Sequence, residues 1–237
     1  YAEVLAGMQQ RYHSAHEKFG VNSAAIPVSR LTENWWQKRY QAKNAATKKG
    51  PAEILFVGDS ITQGWEDKGK AVWNEYYDKR QAINLGFSGD RTEHALWRLE
   101  KGNFNGVKDP KVAVVMIGTN NTGHLEQAAN ETAEGVDNVV AKLRERFPKA
   151  KVLLLGVFPR GATPDDSKRQ LNTEINEQLA KLHDGEHVHF EDITQAFLES
   201  DGTLSKQIMP DLLHLSKEGY QRWAKAIEPK LKSLGVQ

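Results

Sequence analysis

The chain has 237 residues, enough for one well-buried domain at roughly 100 to 200 residues per domain, and its 39% hydrophobic and 27% charged residues build a packed core rather than a disordered chain. Subtracting 31 acidic from 32 basic residues leaves a net charge of +1, so no global field draws in nucleic acid or an anionic bilayer. The absence of cysteine excludes disulfides, thiolate zinc or iron–sulfur ligation and cysteine nucleophiles, and no stretch approaches the roughly 18 apolar residues of a membrane span.

In chain order, helix-compatible stretches at residues 3–18 and 32–48 flank a turn-rich piece at 20–27, predicting an N-terminal helical extension over 1–50. It carries Trp35 and Trp36, expected to pack on the chain's own main domain rather than on a second subunit. From 51 to 237 the pattern changes. Apolar runs at 54–57, 82–85, 112–117 and 152–157, and a weaker one at 187–190, read as five buried strands. Between and after them run single apolar stripes of helical spacing: Val136, Val139, Val140, Leu143 and Phe147; Leu171, Ile175 and Leu179; Tyr220, Trp223, Ala224, Ile227 and Leu231. Strand and helix alternating in this way predict an α/β fold, a doubly wound and mostly parallel sheet with helices on both faces, and ligands in such sheets sit beyond the carboxyl ends of the strands.

Four segments concentrate the chemistry. The first strand runs directly into Gly58-Asp59-Ser60, which sets a serine at the rim of the sheet, where it is either a nucleophile or merely the cap of the next helix. The second strand leads into Gly86-Phe87-Ser88-Gly89, where Gly89 can bring a bare backbone N–H up to a ligand, or simply make a strand-to-helix turn. The third leads to Gly118-Thr119-Asn120-Asn121. The amide of Asn120 either faces an oxygen developing negative charge or satisfies a structural carbonyl. The fourth is Asp211-x-x-His214, ahead of Ser216, which reads as the N-cap of the last helix. On a loop, Asp211 can accept the Nδ1 proton of His214 and leave Nε2 free to take a proton from serine. Such pairs are common alone, but the order Ser, Asp, His behind a strand-end serine is one found in hydrolytic triads.

On these residues the chain resembles the SGNH, or GDSL-type, serine hydrolases over about 51–235, and is most similar to the platelet-activating-factor acetylhydrolase catalytic subunits and the bacterial esterases like them. The runs from Gly89 to Leu99 and from Phe158 to Gly161 share in that likeness. The resemblance implies a flavodoxin-like, three-layer α/β/α sandwich with about five strands. It implies Ser60 as nucleophile, His214 and Asp211 as the other triad members, an oxyanion hole made by Ser60, Gly89 and Asn120, and no cofactor or metal. Two departures stand out: Asn121 replaces the Asp of many members, and Ser88 stands where the acetylhydrolase branch has a first glycine.

The expected function is hydrolysis of short-chain, foremost acetyl, carboxylic esters through an acyl-enzyme, with O-acetyl groups on carbohydrate the leading substrate. The alternatives are phospholipid-like esters, or a catalytically silent carbohydrate-binding or assembly module. No lid-like apolar insertion is evident, and the segments 62–64, 90–92 and 122–124 are polar. Arg160 is expected to pair with a carboxylate rather than bind substrate. His183, His187 and His189 lack the ligand spacing of a zinc site. The expected partner is a small-molecule or carbohydrate ester, with a homodimer left open and neither nucleic acid nor a membrane span involved. The expected location is secreted or periplasmic, a cytoplasmic one also being compatible.

Overall fold

The computed structural model describes residues 20–237 together with Gly7 and Met8; the rest of the helix predicted over 3–18 lies outside the described residues. Five strands, β1 (Ile54–Gly58), β2 (Ala82–Gly86), β3 (Val112–Met116), β4 (Lys151–Leu155) and β5 (Val188–Glu191), form one fully parallel sheet in the order β2-β1-β3-β4-β5. Eight α-helices accompany it among the described residues: α1 (Asn34–Ala46), α2 (Ser60–Gln63), α3 (Lys70–Tyr76), α4 (Thr92–Glu100), α5 (Thr119–Leu125), α6 (Ala129–Arg146), α7 (Ser167–Leu179) and α8 (Lys217–Ser233).

Alternation along each strand divides the interior into two cores. Leu55, Val57, Ala113 and Val115 face Leu96 and Leu99 of α4, Val136, Val139 and Val140 of α6, and Ile175 of α7. Ile54, Phe56, Val112 and Val114 face Val72 of α3 and Trp223, Ile227 and Leu231 of α8. Each fully buried side chain of this kind contributes about 1.5–3 kcal/mol of transfer free energy, which is why the three predicted stripes settle on the sheet. The fold is the α/β sandwich expected from the strand and helix pattern.

Strand β4 stops at Leu155, two residues earlier than its apolar run. Beyond it Asn176 of α7 takes over both backbone groups of Val157, accepting from its N–H at 2.7 Å and donating to its carbonyl at 3.1 Å. Trp36 and Trp35 point different ways, as neighbours about 100° apart on a helix must. Trp36 is fully buried against Phe87 and Trp97, with ring centroids at 5.3 and 5.7 Å, whereas Trp35 is 43% exposed. The segment before α1 is tied down by backbone: Val28 N–H donates to Glu93 O at 3.1 Å, and Thr92 Oγ1 donates to Ala24 O at 2.8 Å.

Because β1 pairs in register with both neighbours, Gly58 lies opposite Gly86 and Met116. The chain therefore leaves β1, β2 and β3 at the same level, and all three exits open on one edge of the sheet.

Candidate active site

At the exit of β1, Asp59 rather than Ser60 is the N-cap of α2: its Oδ1 accepts the N–H of Ile61 at 2.9 Å, leaving the serine hydroxyl uncommitted to capping. Gly58 has no room for a side chain, since a Cβ there would lie 2.1 Å from Thr62 Oγ1 and 2.4 Å from Met116 O. The strand can thus turn into the helix without displacing Ser60.

Asp211 and His214 reach the same edge on the loop before α8. Leu212 adopts a left-handed φ of 60°, and in this tight turn the Asp211 carboxylate accepts three hydrogen bonds. Oδ1 takes the N–H groups of Leu213 (3.1 Å) and His214 (2.7 Å), and Oδ2 takes Nδ1 of the His214 ring (2.7 Å). Partial burial pushes the Asp211 carboxyl up, but the hydrogen bonds from the His214 ring and from the backbone outweigh it and hold the group below its ordinary range. With its Nδ1 proton committed to Asp211, the ring presents Nε2 as acceptor, and Ser60 Oγ stands 2.9 Å from it. Ser216 caps α8 from behind the histidine by accepting Gly219 N–H at 3.2 Å.

The two other candidate residues converge on the same rim through Asp90. Asn120 is nearly buried and donates one amide hydrogen to Asp90 O at 2.9 Å, so the structural carbonyl exists and the second hydrogen of the same NH2 group remains. Gly89 has a left-handed φ of 69°. The neighbouring Ser88 N–H is taken by Gln63 Oε1 at 2.8 Å, whereas that of Gly89 makes no hydrogen bond among the described residues. The Asp90 carboxylate is itself buried and accepts from Arg30, Trp36 and Arg98. Sequence reasoning passed over these three donors because they come from positions 60, 54 and 8 residues away, with no local motif joining them.

Ser60, Asp211 and His214 open into a cleft of about 790 Å³ whose wall includes Gln63, Glu66, Asp67, Lys68, Ser88 and Lys217. Arg160 lies beside the third loop, where its Nη1 donates to the carbonyl (3.1 Å) and hydroxyl (3.2 Å) of Thr119. Nearby His124 is pushed down to about 4 by burial, with Arg91, Arg30 and Arg160 adding to the effect, so it is neutral at neutral pH. His183 and His189 meet edge to face at 5.7 Å, and among the described residues no group of three or more His, Asp or Glu is placed to hold a metal ion.

Asp59 gives the site a pH signature of its own. Burial pushes its carboxyl from 3.8 up to about 7, and its Oδ2 has no hydrogen-bond partner among the described residues. Between those values the unfolded chain has already lost this proton while the folded chain keeps it, so this group's contribution to stability declines as pH rises through that window. Asp59→Asn retains an oxygen for the Ile61 N–H and has no proton to lose. Thermal unfolding from about pH 5 to about pH 8 is expected to show the variant gaining steadily on the parent; a difference independent of pH would contradict it.

A hydroxyl, an imidazole and a carboxylate in hydrogen-bonded line, at the carboxyl edge of a parallel sheet and beside free N–H donors, is the geometry with which serine hydrolases act on acyl groups. Comparison with known proteins gives the same class. The profile of the GDSL-like lipase/acylhydrolase family matches residues 56–222. The human platelet-activating factor acetylhydrolase IB subunit alpha1 is 37% identical over 203 residues, covering 85% of each chain. The rat subunit alpha2 is 36% identical over 217 residues, 90% of this chain and 92% of its own. Among solved structures, a GDSL-like lipase from Bacteroides thetaiotaomicron superposes with a TM-score of 0.66 at 23% identity, covering 83% of this chain and 97% of its own. A carbohydrate acetylesterase from Sinorhizobium meliloti does so with 0.60 at 21%, covering 77% and 99%. The chain belongs to the GDSL-like lipase/acylhydrolase family and is a carboxylic ester hydrolase.

Proposed function

We propose that this hydrolase is a serine esterase that removes short acyl groups, acetyl foremost, from hydrophilic alcohols, with O-acetylated carbohydrate as its leading substrate and residues 51–237 as the hydrolase domain. The observation that carries the reading is the continuous line from Ser60 Oγ through the His214 ring to Asp211, with contacts of 2.9 and 2.7 Å. In it, neutral His214 takes the serine proton as Oγ attacks the ester carbonyl, and Asp211 stabilises the imidazolium that forms. The N–H groups of Ser60 and Gly89 and the second amide hydrogen of Asn120 hold the tetrahedral oxyanion, where one such donor is worth about 3–4 kcal/mol of barrier. His214 then protonates the departing alcohol, leaving an acyl-Ser60, and activates the water that releases the acid.

The charged and amide side chains in the wall of the cleft, Gln63, Glu66, Asp67, Lys68 and Lys217, support a hydrophilic alcohol. A second reading, hydrolysis of an acetyl ester on a phospholipid-like alcohol, is supported by the 37% identity to an acetylhydrolase subunit named for platelet-activating factor. A series of p-nitrophenyl esters tests the acyl side. kcat/KM is expected to fall roughly tenfold or more from acetyl to butyryl, since a methylene that a small pocket cannot hold costs that much. A flat or rising series would remove the short-acyl reading. Acetate release from acetylated oligosaccharides, acetylated sialic acids and short acyl-glycerophospholipids then separates the two alcohols.

A further inference from the structure

We propose that Arg30, which lies in the extension ahead of the hydrolase domain, is a positioning residue for the oxyanion hole, fixing the direction in which the N–H of Gly89 points. The inference rests on the assignment of Gly89 and Asn120 to that hole.

The argument turns on one peptide group. The carbonyl of Ser88 and the N–H of Gly89 belong to the same planar unit and point in opposite directions, so whatever holds the oxygen aims the hydrogen. Arg30 Nη1 donates to that oxygen at 2.8 Å and to Asp90 Oδ1 at 3.0 Å, gripping the turn on both sides of Gly89. The Nη1–Nη2 edge of the guanidinium also faces the glycine itself: a Cβ at position 89 would stand 3.3 Å from both nitrogens. A left-handed glycine such as Gly89, with a φ of 69°, has a wide choice of backbone conformation, so without a clamp the peptide can rotate and carry its N–H away.

Arg30 is itself held in place before any substrate arrives. Nε and Nη2 fork onto the two carboxylate oxygens of Glu33 at 2.8 and 2.9 Å, and the Arg30 side chain is only 14% exposed. A charged donor on the carbonyl also polarises the peptide, which makes the N–H at its other end a stronger donor to a developing anion. Asn120 is anchored to the backbone oxygen of the same Asp90, so the clamp and the second donor share one residue. The extension thereby becomes part of the catalytic apparatus without touching substrate.

Arg30→Ala and Asn120→Ala, singly and together, are measured with p-nitrophenyl acetate alongside thermal unfolding. Arg30→Ala is expected to lower kcat roughly tenfold to a hundredfold with KM within about twofold, less than the roughly hundredfold to thousandfold loss from removing a direct donor. Millimolar ethylguanidinium is expected to restore part of the kcat of Arg30→Ala and none of that of Asn120→Ala. Should Arg30→Ala not fold, Arg30→Lys is read instead. Its single ammonium cannot fork onto Glu33 and still hold the Ser88 carbonyl, so kcat falls at least severalfold. An unchanged kcat in the folded Arg30 variant, or a fall that tracks thermal stability alone and is not rescued, overturns the proposal. Wild-type turnover in Asn120→Ala would bring down the oxyanion reading and the inference with it, whereas a fall there with none in Arg30→Ala sinks only the inference.

Discussion

Ser60→Ala is expected to fold as the parent does and to lose ester turnover by a factor of roughly 10⁶, the scale of loss when a serine hydrolase is stripped of its nucleophile. The loss is chemical, because the hydroxyl makes its hydrogen bond to His214 Nε2, at 2.9 Å, and holds no element of the fold together. His214→Ala should lose about as much, and the double variant little more than either, since a nucleophile without its base and a base without its nucleophile are equally idle. Asp211→Asn should cost less than either. Its carboxylate is more than half exposed, so water can replace part of the stabilisation of the imidazolium, and the two backbone N–H groups on Oδ1 keep the turn in place. Acetate release and covalent labelling by a fluorophosphonate give independent readouts. Purified Ser60→Ala with wild-type turnover, or with undiminished labelling, would remove the serine from the mechanism.

The parts of this site that are local in sequence can be read without coordinates. The serine follows its strand at once, and the Asp211-x-x-His214 spacing fits one turn of loop, so both announce themselves through strand-end placement and short-range hydrogen bonding. The three strand exits are equally legible, since a parallel sheet leaves little choice about where they meet. What stays hidden is long range. Nothing near position 90 says that its carboxylate is the meeting point of Arg30, Trp36 and Arg98, and nothing near Trp35 and Trp36 says which of the two faces inward.

The Asn121 departure also acquires a physical reason only in three dimensions. Its Oδ1 accepts Thr92 N–H at 3.1 Å, while its NH2 group donates to Thr92 Oγ1 at 3.0 Å and Gln127 Oε1 at 2.7 Å, fastening α5 to the start of α4. An ionised aspartate there could accept but not donate, and would face the oxygen of Gln127 unpaired. The replacement thus belongs to the packing of these helices, while Asn120 beside it retains its place on the rim.

Arg98→Met is expected to be the most destabilising substitution in this region, by about 3–5 kcal/mol, because it removes one partner of a fully buried ion pair and leaves the other behind. Both side chains of the Arg98–Asp90 pair are 0% exposed, and Nε lies 2.9 Å from Asp90 Oδ2. The same guanidinium donates to Leu85 O at 3.0 Å, Asn103 Oδ1 at 3.1 Å and Gly58 O at 3.4 Å, and sits over the ring of Phe87 with its central carbon 4.1 Å from the centroid. It therefore ties the exits of β1 and β2 to α4, and methionine can replace the packing but none of the donors. At about 2–4 °C per kcal/mol for a chain of this size, the melting temperature should fall by roughly 6–20 °C. Arg98→Lys should lie between, since one ammonium cannot reach four acceptors spread over a plane. Adding Asp90→Leu to Arg98→Met should recover stability by removing the buried Oδ2 that Arg98 leaves unpaired, but only in part, because Arg30 and Trp36 lose their shared acceptor Oδ1. Calorimetric scans of the three variants decide the matter: a melting temperature of Arg98→Met within about 2 °C of the parent would mean that the buried pair contributes little and that the oxyanion loop is held by Arg30 and Trp36 alone.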